Sequence, residues 1–332
     1  MVSIVYITQR AEPRFEWFAD SLADQLDASD SADEVEVIAV DGCLTDERRE
    51  RFTRIVDGRF ALRHVAPKPT PYNGLHRLTE RSYSTISSAR NTGIVYAGSP
   101  YVIFVDDCGV LGDDWWQEAR TAARHGYVLA GTYENRSDLR IEHGRIDAAT
   151  DRSTRDALDH RWQQGDDEAL VQIPGSQLFG CGLGAPRELL LALNGFDELC
   201  DPIGGEDTQL GVRLEWSGER IYFSRRAMIV KDHLRHRGDS VVRIDRSAVD
   251  GGAFDRARYM TRLAEFGVHQ RTIEDGALDC SHLCLDILYG TRSTRALGNY
   301  YELAELSEDE LQQLPESFPE RYWATGEPLS AL

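Results

Sequence analysis

The chain has 332 residues, with 56 acidic against 37 basic side chains and a formal net charge of −19. That length supports one large α/β domain with an extension, or two modest domains, and either buries a core that needs no staples. The charge opposes a nucleic-acid backbone or an anionic lipid surface as a general partner.

No apolar run is long enough to span a bilayer and no basic-then-apolar leader follows Met1, so no transmembrane segment is expected and the protein reads as cytoplasmic. The six cysteines at 43, 108, 181, 200, 280 and 284 have neither the dense spacing of a secreted framework nor paired CxxC spacing, and free thiols are expected. On a helix His282 would point away from Cys280 and Cys284, which favours packing over a metal cluster.

In chain order, Val2 to Thr8 is a nearly continuous β-branched run, as expected of a strand buried on both faces. Phe15, Phe18, Leu22 and Leu26 have helical spacing, and Val35 to Val40 restores strand character before Asp41-Gly42. A weaker strand over 60–65 and a Pro-rich loop over 67–71 precede a predicted helix over 82–97, then a strand at Tyr101 to Val105. A strand over 127–132 follows, and residues 134–167 lack clear periodicity and read as a long surface excursion. Asp207 to Trp216 is a predicted helix closed by Gly218, and Ile221 to Val230 a further strand. From about residue 246 the pattern becomes helical, giving a division into 1–245 and a C-terminal helical extension over 246–332, the latter a candidate homo-oligomer interface.

Strands alternating with helices indicate a doubly wound α/β sheet, whose ligands collect outside the carboxyl ends of the strands. Asp41 and the pair Asp106-Asp107 fall there. A second acidic pair, Glu206-Asp207, follows Gly204-Gly205, where a backbone without side chains lets a ligand approach closely. Adjacent carboxylates discourage simultaneous ionisation, which suits general base work, although acids at a helix N-terminus also satisfy the macrodipole. Beyond them His233 and His236 sit one turn apart, able to share one ion; the alternative is two solvated imidazoles in a basic, loop-like run over 231–237.

The run Ser88-Ala89-Arg90-Asn91-Thr92-Gly93, then Phe104-Val105-Asp106-Asp107, resembles the nucleotide-sugar half of inverting GT-A glycosyltransferases, family 2 in particular. Asn194-Gly195-Phe196-Asp197, Gly204-Gly205-Glu206-Asp207, Arg213-Leu214, Gly218 and the His233–His236 pair look more like the β-1,4-galactosyltransferase group. The resemblance covers roughly the first three-quarters of the chain. It implies a GT-A, Rossmann-like mixed but mostly parallel sheet flanked by helices, and transfer of a sugar from a nucleotide diphosphate, with UDP-hexose the expected donor and a glycan or small molecule the acceptor.

Carried over by position, Asp41 would accept from the nucleobase, Thr8, Gln9 and Arg10 would begin to enclose the nucleotide, and Asp106 would contact the ribose. Gly205 would lie close to the donor, and Arg90 would either support the diphosphate or hold Asp106. Asp107 with His233 and His236 would ligate Mn2+ or Mg2+, since Cys108 stands where many members have a third acid. Asp207 would be the base and Glu206 its neighbour, positioning acceptor or loop. Ile203 replaces an aromatic residue often found before the two glycines, which weakens acceptor stacking there. The rival readings are a noncatalytic nucleotide-sugar or glycan-binding module, and a metal-dependent nucleotide-sugar hydrolase or nucleotidyltransferase.

Overall fold

A computed structural model describes residues 1–68, 70, 73, 84–137, 139–147, 155–164, 169–201, 204–232 and 294–296. His233, His236, Ile203 and nearly all of 246–332 lie outside the described residues. In chain order the elements are β1 (Val2–Thr8), α1 (Phe15–Ser29), β2 (Val35–Asp41), α2 (Asp46–Val56), β3 (Ala61–Val65), α3 (Ile86–Tyr96), β4 (Tyr101–Asp106), β5 (Gly109–Leu111), α4 (Trp115–His125) and β6 (Val128–Arg136). Then come β7 (Ile141–Glu142), β8 (Arg145–Ile146), β9 (Arg155–Leu158), β10 (Val171–Ile173), β11 (Leu183–Pro186), α5 (Arg187–Ala192), α6 (Glu206–Trp216) and β12 (Ile221–Asp232).

The main sheet runs β10-β12-β6-β11-β4-β1-β2-β3, with β5 added to β12 and β9 to β6. Strands β4, β1, β2 and β3 are mutually parallel, as helical crossovers require. Strand β11 runs antiparallel to both β4 and β6, so the two reversals restore direction and β6 and β12, which are parallel to each other, point the same way as β4. The carboxyl end of β12 therefore reaches the same edge of the sheet as Asp106.

Alternation along each strand feeds two cores. Val5, Ile7, Ile38 and Phe104 belong to the cluster under α3 and α6, whereas Ile4, Tyr6, Val37 and Ile103 join Phe15, Phe18 and Trp115 of α1 and α4 on the opposite face. On the first side the approach of α3 to β1 is close enough that a Cβ on Gly93 would collide with the Val5 side chain, which is the packing reason for that glycine.

Several boundaries differ from the sequence expectation. The stretch expected as an irregular excursion begins inside β6, which continues to Arg136, and carries the β7–β8 hairpin and β9. The extension of β6 is sustained by its long parallel ladder with β12, which itself continues two residues past Val230. Helix α3 begins at Ile86 rather than 82, and α6 takes in Glu206. Among the described residues no helix is long and apolar enough to cross a membrane.

Candidate functional site

The register sets the first group of side chains. Thr8 lies opposite Asp41 and Ile7 opposite Asp106, so three strands deliver Thr8, Asp41 and Asp106 to adjacent places at one edge. A cleft there is lined by Thr8, Gln9, Arg10, Ser84, Asp106 and Asp107, among others.

Within it Asp107 accepts from Thr8 Oγ1 at 2.7 Å and from Arg10 Nε at 2.8 Å, and it is buried. Gln9 turns sideways, donating through Nε2 to Thr85 Oγ1 at 2.8 Å, and so ties the end of β1 to the start of α3. Cys108 occupies a left-handed turn with φ 56° and is wholly buried; its amide donates to Pro13 O and its carbonyl accepts from Asp232 N. Burial, then the neighbouring Asp107, pushes this thiol well up, so Cys108 packs as a neutral group.

Asp41 has no exposed surface. It accepts from Cys43 N at 2.8 Å and His64 Nε2 at 3.0 Å and is ion-paired with Arg48. The Arg48 fork also donates to the carbonyls of Ala11 (2.5 Å) and Arg10 (2.6 Å). A base edge could reach Asp41 only after Arg48 withdraws, and sequence reasoning missed both Arg48 and His64.

The second group hangs from α3, whose polar residues are all buried; most of them bond to residues 196–201 and 206, while Thr92 accepts from the Lys68 amide. Asn91 donates through Nδ2 to Phe196 O and Glu198 Oε1, both at 2.8 Å, and accepts from Phe196 N. Asp201 accepts from Ser87 N, Ser88 N and Ser88 Oγ at 2.8 to 3.0 Å, satisfying amides that a helix start leaves unpaired. Lys68 Nζ lies 2.7 Å from Glu198 Oε2. The Arg213 guanidinium donates to Leu193 O and Gly195 O, closing the left-handed turn at Asn194 and Gly195. Two motifs a hundred residues apart are thus one mechanical unit.

Arg90 completes it. Its guanidinium donates to Glu206 Oε1 at 2.7 Å and to Asp106 Oδ1 at 3.2 Å. Burial works against its charge, but Asp106 and Glu206 outweigh that and raise its proton affinity. Of the two roles left open for Arg90, the one seen is the hold on Asp106. Glu206 faces this guanidinium; burial, then Asp207, pushes its carboxyl up while Arg90 pulls it back. Asp207 is half-buried and accepts from Gly180 N at 3.1 Å and Thr208 N at 2.7 Å. Gly205, at φ 87°, is the N-cap of α6.

Lys231 was expected in a basic loop and is instead a buried residue of β12. Its ammonium lies 3.1 Å from Asp106 Oδ2 and 4.8 Å from the centre of the Tyr133 ring. Burial disfavours its charge, yet the Asp106 carboxylate helps to hold the proton and its affinity rises. The local pattern held no signal for this, because a lysine is rarely buried unless it is paired and its partner Asp106 is remote in sequence.

Among the described residues three cations, Arg10, Arg90 and Lys231, stand beside four carboxylates, Asp106, Asp107, Glu206 and Asp207. A divalent cation is one group that could offset a diphosphate's charge beside such carboxylates. The described residues alone do not complete a shell for one: among them no group of three His, Cys, Asp or Glu side chains is arranged to hold a metal ion, and Asp107 would have to exchange Arg10 or Thr8 for it.

The family model described as glycosyl transferase family 2 matches residues 3–181, more than half of the chain. A search of curated proteins finds no match. Among solved structures the chain is similar to S. aureus TarS 1–349 in complex with UDP-GlcNAc, at 15% identity and a TM-score of 0.51, covering 98% of this chain and 83% of that one. It is also similar to TarS 1–349 in complex with UDP, at 16% identity and a TM-score of 0.49, covering 70% and 60%; in that comparison it spans less than two-thirds of the neighbour. At such identities the likeness concerns the fold alone.

Proposed function

The chain belongs to glycosyl transferase family 2, and from that premise we propose that it moves a sugar from a nucleoside diphosphate donor, UDP-hexose by preference, to an acceptor hydroxyl with inversion at the anomeric carbon. The observation that carries this reading is the Arg90 guanidinium shared between Asp106 and Glu206. It brings the carboxylates at the end of β4 and those at the start of α6 to one place, as a reaction with a donor side and an acceptor side demands. The UDP-GlcNAc held by the TarS 1–349 structure makes uridine donors the first to try.

On this reading the sugar–phosphate bond lies between Asp106 and Asp207. Asp207, held by the Gly180 and Thr208 amides, accepts the proton of the acceptor hydroxyl as its oxygen attacks the anomeric carbon. The nucleoside diphosphate leaves on the opposite face. Lys231 and Arg90 keep Asp106 oriented toward the ribose, and Glu206 keeps Arg90 in place. Mn2+ or Mg2+, held by Asp107 with His233 and His236, would supply charge neutralisation for the leaving group. Alignment and charge stabilisation provide most of the acceleration, with proton transfer giving roughly 10²- to 10⁴-fold.

A panel of nucleotide sugars, each with and without Mn2+, tests the donor assignment by thermal shift, because a ligand of the native state raises its stability. At least one uridine donor should stabilise the protein, more so with the metal. In the Asp207→Asn protein that shift should persist while product formation falls about 10²- to 10⁴-fold. Undiminished transfer would remove Asp207 from the role of base, and release of free sugar with every acceptor would indicate a hydrolase.

A further inference from the structure

Gly180 meets the catalytic cluster on two sides. Its amide donates to Asp207 Oδ2 at 3.1 Å. On its other side the space a Cβ would fill is taken by the Arg90 guanidinium, whose Cζ, Nη1 and Nη2 are the nearest atoms and would overlap it. The same guanidinium lies 5.1 Å from the centre of the Phe196 ring. From this seat it reaches Glu206 and Asp106.

Glycine is not required here for backbone freedom, since Gly180 is absent from the left-handed region where Gly182, Gly204 and Gly205 lie. Nor is it ordinary close packing of backbones. Gly175 and Gly211 show what that looks like: the missing Cβ of each would run into the carbonyl of the other. At Gly180 the intruding group is a buried charged side chain that the proposed chemistry depends on.

We propose that Gly180 is a positioning residue: its bare Cα seats Arg90, so that Glu206 and Asp106 are held in one frame, while its amide fixes the carboxylate of Asp207 within that frame. The inference rests on the reading of Asp207 as base for its chemical consequence, but the seat itself is a matter of sterics and is separately testable. Alanine keeps the amide and is compatible with the backbone, so Gly180→Ala unseats Arg90 and leaves the hydrogen bond to Asp207 available. Glu206 then loses the cation that counteracts burial and Asp207, and its titration moves up.

The experiment is a double-mutant cycle on the full chain with Gly180→Ala, Arg90→Ala and the pair, read by urea denaturation and by UDP release from UDP-GlcNAc across pH, with water taking the sugar as acceptor. Gly180→Ala should destabilise the wild-type background and cost almost nothing once Arg90 is alanine, because the clash is gone. If the single variant fails to fold, recovery of folding in the pair is the same result. UDP release should fall on the order of tenfold or more in Gly180→Ala, with its acid limb displaced to higher pH as in Arg90→Ala. Loss of folded protein alone would scale the profile without moving it.

Equal cost of Gly180→Ala in both backgrounds overturns the seat. Wild-type UDP release with an unmoved acid limb overturns the positioning role. Asp207→Asn, run alongside, separates the two levels: if it releases UDP at the wild-type rate, or if the wild type releases none, the base or donor reading has failed and the denaturation cycle still decides the seat.

Discussion

Lys231 Nζ lies 3.1 Å from Asp106 Oδ2 while Arg90 meets the other oxygen at 3.2 Å, so one carboxylate is clasped by two buried cations that are far apart in the sequence. Replacing Lys231 by methionine keeps the bulk and removes a charge from a pocket already short of positive ones. Stability should fall by about 2 kcal/mol, the scale of a hydrogen bond to a charged group. UDP should bind about tenfold more weakly by calorimetry, and Lys231→Arg should recover part of both. Unchanged UDP affinity would make Lys231 a structural counter-ion only.

Asp201 yields a prediction about pH. Burial pushes its carboxyl up to about 7, against the Ser87 and Ser88 donors that pull it down. The folded chain therefore binds more protons at this site than the unfolded chain between the ordinary carboxylate range and about 7. Its contribution to stability is full at the acid end of that window and is lost as pH rises through it. Asp201→Asn cannot titrate, so the stability advantage of the wild type over this variant should shrink from pH 4 upward, as measured by urea midpoints of both proteins. The variant itself should cost about 1–2 kcal/mol, because an amide can accept through one oxygen only. A difference constant with pH would show that the helix start outweighs burial.

Arg48→Met tests the anchoring of Asp41. The substitution removes one partner of a fully buried carboxylate and frees the carbonyls of Arg10 and Ala11, leaving His64 and the Cys43 amide in place. A loss of about 2–3 kcal/mol is expected, short of the full cost of orphaning a buried charge. Amide exchange over residues 9–12 should accelerate more than exchange over α3. Unaltered exchange there would mean that the loop after β1 is held by its other ties, among them Arg10 to Asp107 and Gln9 to Thr85.

The carboxylates at strand ends were legible because their signal is local: an apolar run stops at an acid, and Asp41 and Asp106 stand where the sheet edge does. The roles of their neighbours were not. Arg90 was left open between supporting a diphosphate and holding Asp106, and Ser88 and Asn91 were given no role; their partners are Asp106 and Glu206 for Arg90, Asp201 for Ser88 and the Phe196 backbone for Asn91, relations that depend on how α3 packs and not on the local pattern. Lys231 was assigned to a loop because the apolar pattern ends at Val230, whereas the ladder with β6 carries the strand onward. Helix α2 went unseen since its buried side chains are only Phe52 and Val56, too few to mark a period. Strand β11 is four residues long and owes its place to neighbours on both sides. Gly180 acts through an atom it lacks, which leaves no trace in a pattern of side chains.

Helix α3 behaves as a common axle. Through Arg90 it contacts one carboxylate of each acidic pair, through Asn91 and the Ser87–Ser88 start it holds Phe196 and Asp201, and through Gly93 it is pressed against β1. A small rotation of those eleven residues would displace Asp106 and Glu206 together, so any substitution that shifts this helix is felt at both carboxylates at once.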